Sequence, residues 1–234
     1  VVIATFCLPI VSGEASQTQD EGEFTQQWSL DFGEVYVSTK PISSDSGIFV
    51  RTSSSSLAQG IPSVYSLNFA GDEVWRVENP NSTFQDMTPL EYVDSGVGGC
   101  GSWPDMVLVG WSNGLFQALN ANTGTIVWQY QTEVNSWGIT GSMLIEDETV
   151  TIPTRQGIDK LCLDGAIQFS HEIGLGWRNG VTLVGESYWV GDEEGNLWSA
   201  NEQNATKYFI AQGKIRHAPI QLSDDNLLIH LQTD

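Results

Sequence analysis

The sequence predicts an all-β protein, a β-propeller of four-stranded antiparallel blades, about four complete, with partial blades at both ends. Three observations carry this. First, one phrase recurs four times, at residues 66–75, 118–128, 162–169 and 199–209. Each copy reads as a strand, an Asx-led turn and a second strand closed by an aromatic. Its Asx positions are Asn68, Asn120, Asp164 and Asn201, a period of roughly 40–50 residues that marks blades or solenoid turns. Second, no stretch keeps an apolar stripe at helical spacing for three turns, whereas short apolar runs bounded by turn residues fill the chain. Third, nine Trp and 40% hydrophobic residues supply apolar surface for a substantial core.

In chain order, residues 24–30 read as an outer strand carrying the aromatic Trp28, with no blade of its own upstream. That orphan predicts a partner unit at the other end. Residues 35–38 read as an innermost strand, followed by strands at 47–51, 63–68 and 73–77, closed by Trp75. The second unit runs 89–93, 105–110, 115–119 and 125–128. It carries Asn120, Gly124 and Trp128. Between its first two strands lies a loop, 94–104, rich in glycine and holding Cys100 and Trp103. The third unit runs 139–145, 149–152, 158–163 and 166–170, with Asp164 and Phe169. The fourth runs 181–184, 188–191, 197–200 and 207–211, with Asn201. A fifth begins at 218–222 and 226–231. The turns at 112–114 and 192–196 offer Asn or Gly for positive φ, and the Asx residues can bond their own downstream N–H groups. Four short strands per unit at this period is how a propeller blade reads.

Nine basic against 29 acidic residues leave a formal charge of −20. That field repels DNA, RNA and anionic lipid, which excludes nucleic-acid binding. The carboxylates are scattered, as on a solvated face; an acidic docking patch is the competing reading. Residues 1–11 are apolar over the length of a signal h-region, too short for a membrane span, and Gly13 and Ala15 offer a small-x-small cleavage site. Residues 1–15 are thus read as the remnant of a signal, 16–24 as a linker and 25–234 as the propeller, incomplete at its C-terminus. The protein is expected to be exported, to the periplasm, cell surface or exterior. Cys7 leaves with the signal. Export permits a disulfide, but Cys100 and Cys162 fall on different repeats and are read as two independent structural thiols. Asn81 and Asn204 head glycosylation sequons.

At Ala118–Trp128 the match becomes specific. The segment resembles the tryptophan-docking repeat of the PQQ-like (quinoprotein alcohol dehydrogenase-like and BamB-like) β-propellers, Ala-x-Asp-x-x-x-Gly-x-x-x-Trp. Ala118, Gly124 and Trp128 match, and Asn120 replaces the Asp. Trp75 closes a copy one residue shorter, and the third and fourth copies use Phe169 and Tyr208 or Phe209. The resemblance covers roughly residues 25–234 and implies one of two functions. Quinoprotein members hold pyrroloquinoline quinone and calcium over the central channel, with a Glu/Asn/Asp cluster and often an adjacent Cys-Cys disulfide. BamB-like members are non-catalytic scaffolds. This sequence has no adjacent Cys pair and no carboxylate spacing that marks a calcium site.

The expected function is therefore an exported, non-catalytic scaffold, monomeric, without cofactor or membrane span, binding a protein partner at the blade-top loops and channel mouth. The alternative is a PQQ- and calcium-dependent oxidoreductase or a fragment of one; a third is the sensor domain of a larger chain. The candidate partner or ligand residues are Cys100 and Trp103 in the glycine-rich loop, which is also readable as a structural insertion, together with Trp137, Trp177 and Arg178 before inner strands. Arg51, Arg76, Arg155, Arg178 and Arg216 fall near strand ends and are expected to pair between blades. Trp198 is taken as a further repeat aromatic. His171, His217 and His230 are too dispersed to propose a metal site. No nucleophile elbow, P-loop or His-Glu metal motif occurs.

Overall fold

The computed structural model describes residues 26–54, 60–82, 85–134, 136–177, 179–210, 212–223 and 226–233. The expected signal and linker, the start of the orphan strand, and Arg178 lie outside these residues. All regular structure among the described residues is β. Blade 1 contains β1 (Tyr36–Val37), β2 (Ile42–Ser44), β3 (Gly47–Ser53), β4 (Ser63–Leu67) and β5 (Glu73–Glu78). Its innermost position is shared: β1 pairs with one end of β3 and β2 with the other. Pro41, which has no N–H to give the ladder, sits between the two pieces.

Blade 2 is β6 (Glu91–Val93), β9 (Met106–Gly110), β10 (Leu115–Asn120) and β11 (Ile126–Gln131). The loop between its first two strands folds as a separate hairpin, β7 (Gly96–Gly98) and β8 (Gly101–Trp103). Blade 3 is β12 (Leu144–Glu146), β13 (Thr149–Pro153), β14 (Gly157–Cys162) and β15 (Ile167–Glu172). Blade 4 is β16 (Val181–Val184), β17 (Ser187–Gly191), β18 (Asn196–Ala200) and β19 (Ala205–Phe209). The pair β20 (Ile220–Ser223) and β21 (Asn226–Leu228) follows. Each blade is an antiparallel meander, as expected from the turn spacing. The first strand of blade 3 starts later than the sequence suggests, because 139–143 belong to the linker that crosses from blade 2.

Apolar clusters lie between consecutive blades. Phe49, Val64 and Trp75 of blade 1 meet Val107, Val109 and Leu119 of blade 2. Met106, Leu108 and Phe116 of blade 2 meet Val150, Ile152 and Leu161 of blade 3. Ile158 and Phe169 of blade 3 meet Val181, Tyr188 and Val190 of blade 4. A middle strand is therefore covered on both faces, and this is why β9 reads as an unbroken apolar run rather than an alternation.

The repeated phrase is a docking device. In blades 1 to 3 a β-bulge falls one residue before the aromatic, at Ser66/Leu67, Ala118/Leu119 and Lys160/Leu161. The bulge turns Trp75 and Trp128 toward the next blade. Their indole N–H groups donate to Ala121 O at 2.9 Å and Leu163 O at 2.7 Å. Trp28 does the same to Phe69 O at 3.0 Å. It does so from a segment that is not a regular strand, whose Leu30 and Phe32 pack over Val50, Tyr65 and Leu67. Each indole lies flat on a turn glycine with positive φ; a Cβ on Gly124 would sit 2.8 Å from Trp75.

Backbone bonding corrects three assignments made from sequence. Asn68, Asn120 and Cys162 occupy equivalent turn heads, bonding N–H to the carbonyls of Asp72, Thr125 and Ala166. Asp164 lies two residues past that point, where it caps Ala166 N instead. Blade 4 has no bulge, and Thr206 stands opposite Ser199 where the aromatic would be. Tyr208 and Phe209, offered as that aromatic, are exposed. Trp198 lies on a third strand and donates to Asp192 rather than to a neighbouring blade. Phe169 keeps its packing role, but with no side-chain N–H it leaves the bond across blades to the His171 ring, which reaches Asn201 O.

Candidate functional site

The two ends of the blade array differ in chemistry. At one end, the linkers between blades cross the turns that join second and third strands. One bond recurs there: Ile139 N–H donates to Trp111 O, Leu175 N–H to Arg155 O and Ile215 N–H to Asp192 O. This common pin holds successive linkers in step and brings together residues far apart in sequence. Trp137 and Trp177 come from consecutive linkers, and their rings lie 4.9 Å apart. Arg216, from the next linker, places its guanidinium 4.6 Å from the Trp177 ring centre. It is fixed there by a bidentate pair with Glu193 at 2.7 and 2.6 Å and by Gln232 at 3.2 Å. Trp137 holds φ at +57°, a left-handed conformation that bulky residues adopt rarely. Beside this group the rings of His217 and His230 meet edge to face at 5.0 Å. The sequence signalled Trp137 and Trp177 by their similar places before inner strands. Glu193 and the histidine pairing had no such signal, since they meet through tertiary folding.

Deeper at this end, Arg51 and Asp86 form a fully buried pair at 3.0 Å. Arg51 also donates to Thr88 O at 2.7 Å and stacks 5.0 Å from the Trp111 ring. Asp86 accepts from Ser82 Oγ and the Ser112 N–H, so the cation of blade 1 is tied to the next blade and its linker. Burial pulls the Arg51 guanidinium below its ordinary value, and Asp86 opposes this. Arg51 thus pairs between blades as expected. Arg76 does not: its carboxylate partners are Glu73 and Glu78 of its own strand.

At the opposite end the glycine-rich loop is a built structure. Cys100, at the tip of the β7–β8 hairpin, is disulfide-bonded to Cys162 of blade 3, 62 residues away, with Cα atoms 5.4 Å apart. The expectation of two independent thiols is corrected. The hairpin, which sequence periodicity did not reveal, carries Cys100 across to the turn that Cys162 heads. The Cys100 N–H also donates to Glu148 at 2.8 Å, and Trp103 closes the hairpin base through Asp94 O at 2.9 Å. A cleft of about 820 Å³ opens between the hairpin and blade 3, lined by Val97, Trp103, Glu146, Asp147, Glu148 and Lys160.

Between blades 2 and 3 lies a smaller polar cavity of about 130 Å³ containing Tyr130, Asp159 and Ser170. Burial raises the Asp159 carboxyl above its ordinary value, although Ser170 and Tyr130 both hydrogen-bond to it. Tyr130 is pushed up to about 12, by burial first and by Asp159 second. Among the described residues no three His, Cys, Asp or Glu side chains come together as metal donors.

Fold and ends together define a β-propeller array with an aromatic–arginine face at the linker end and a stapled hairpin at the other. No protein-family model matches the chain, and no curated protein sequence does. Solved structures do. BamB from Moraxella catarrhalis is similar at a TM-score of 0.59 and 22% identity, over 82% of this chain and 55% of that one. A quinohemoprotein alcohol dehydrogenase from Comamonas testosteroni is similar at 0.55 and 15%, over 84% of this chain and 40% of that one. The WD40 β-propeller domain of Doa1 is similar at 0.56 and 9%, over 83% and 62%. The chain therefore spans about half the length of the BamB structure. At these identities the likeness shows the fold, a β-propeller, and both kinds of protein named by the sequence resemblance are among the similar structures.

Proposed function

We propose that this chain is an exported, non-catalytic propeller that serves as a protein-binding or assembly scaffold, with the linker end as its working surface. The Trp137–Trp177–Arg216 stack supports this reading. Trp and Arg are the residue types that dominate binding hot spots. Here they are pre-positioned, because Arg216 is held by Glu193 and each linker is pinned to a turn, so little side-chain freedom remains to be lost on binding. The left-handed Trp137 backbone is strain of the kind that persists where a side chain must be aimed.

Site-specific photo-crosslinking in the intact exporting cell tests the scaffold reading. A benzoylphenylalanine at position 137 or 177 should give one discrete protein adduct, whereas the same probe at Val74 on the outer rim should not. Arg216→Ala should abolish the adduct. Dye-linked alcohol oxidation after addition of pyrroloquinoline quinone and calcium should stay at background; turnover there, or equal crosslinking at position 74, overturns the proposal.

A further inference from the structure

The hairpin end carries a surface that does not depend on the linker-end reading. Among the described residues β7 and β8 pair only with each other, so the outer backbone groups of both strands are open. A lone two-stranded hairpin is marginal in water. This one is fixed at its tip by the disulfide and the Glu148 bond, and at its base by Trp103. Gly96, Gly98 and Gly101 let the Trp103 ring and the Glu148 and Asp164 carboxylates lie directly against the hairpin, while Val97 projects with 85% of its surface exposed. The chain therefore holds, rigidly and in solvent, the kind of open strand edge that proteins usually cover.

The cleft beside this edge sets what fits. One wall is Gly96 and Val97; the other carries Glu146, Asp147 and Glu148. The cleft continues past Glu146 and Lys160 into a recess of about 370 Å³ bordered by Glu186 and Glu202 of blade 4. Five carboxylates and a single ammonium thus line these two recesses: Lys160 is drawn 5.1 Å from the Tyr188 ring centre, and of the carboxylates Glu148 and Glu146 also accept from the Cys100 N–H and the Tyr188 hydroxyl. We propose that this cleft is a docking site for an extended, basic peptide segment of a partner protein. The segment adds as a strand to the hairpin edge through main-chain hydrogen bonds. In an added strand alternate side chains point the same way, so Lys or Arg at every second position meets the carboxylate wall while the residues between lie against Val97.

Fluorescence anisotropy of a fluorescein-labelled Lys-Val-Arg-Val-Lys-Val-Arg peptide, titrated with the whole chain at low salt, tests this. The expected result is saturable binding that the matched Glu-Val peptide does not show and that weakens as salt is raised. Asp147→Asn combined with Glu186→Gln should weaken it by about five- to tenfold; Asn tolerates the left-handed φ of +46° at position 147. Cys100→Ser/Cys162→Ser, or reduction of the native protein, should weaken it at least as much by freeing the hairpin. Backbone N-methylation of alternate peptide residues should also abolish binding. Equal binding of the acidic peptide, an unchanged affinity in the charge variant, or indifference to N-methylation overturns the proposal. The charge variant folds independently of the staple and decides the matter if the cysteine variant does not fold. It leaves Trp137, Trp177 and Arg216 untouched, so crosslinking at the linker end persists or fails separately.

Discussion

Asp159 shows how a single residue records the cost of building a core from blade edges. Its side chain is buried between blades 2 and 3, and among the described residues Ser170 and Tyr130 compensate it by hydrogen bonding. Burial outweighs those bonds and raises its folded pKa above the ordinary 3.8. The sign is opposite to that of a salt-bridged Asp. Ionisation opposes folding, fully so above the raised value, and the penalty fades as pH falls through that value toward the ordinary one. Asp159→Asn keeps the shape and can still bond both hydroxyls. It is expected to unfold at higher urea than the native chain at pH 7, with the advantage shrinking toward pH 4. An advantage that does not change with pH, or a less stable variant at pH 7, would show that the two hydrogen bonds outweigh desolvation. Nothing in the sequence singles out Asp159, because Tyr130 reaches it from another blade.

At the scale of the element, the outer hairpin works by seating an indole on its neighbour's turn. Gly165 holds φ at +96°, and a Cβ there would lie 2.9 Å from Trp128; Gly185 has φ +62° with nothing within 4 Å. Both substitutions to Ala carry the left-handed backbone penalty, about 1–2 kcal/mol. Only Gly165→Ala must also displace Trp128 and its bond to Leu163 O, a further loss of about 1 kcal/mol or more. Urea unfolding should therefore rank Gly165→Ala well below Gly185→Ala, with a shifted tryptophan emission in the first alone; equal losses would mean that the indole is not held by the turn. This seating was legible from the spacing of Asn120, Gly124 and Trp128, since one turn type demands those residues. Its variants were less so. In blade 3 the side chain at the turn head is Cys162, not an Asx, and the nearest Asx, Asp164, stands two residues later inside the same turn, so it looks equivalent when it is not. The hairpin that brings Cys100 to Cys162 was hidden for a related reason: short glycine strands have no hydrophobic period to read.

At the scale of the whole molecule, apolar clusters join consecutive blades, so stability is expected to behave as a sum of blade terms and interface terms, as in a linear array. The propeller class followed from the repeat because strands covered on both faces must be apolar throughout, and turns must punctuate them. The linker-end cluster followed only in part: Trp137 and Trp177 share a place before inner strands, but the pins that set them beside Arg216 are backbone bonds without a side-chain signature. Leu161 offers the test of the array. It is fully buried in the cluster between blades 2 and 3, and Leu161→Ala leaves a cavity costing about 2–5 kcal/mol. Native-state hydrogen exchange should quicken most in β9, β10, β13 and β14, the strands that meet across that cluster. It should change less in β3 and β4 of blade 1 and in β17 and β18 of blade 4, which keep one intact interface each. A uniform acceleration through all four blades would instead require that the array open as a single unit, with the interfaces coupled rather than additive.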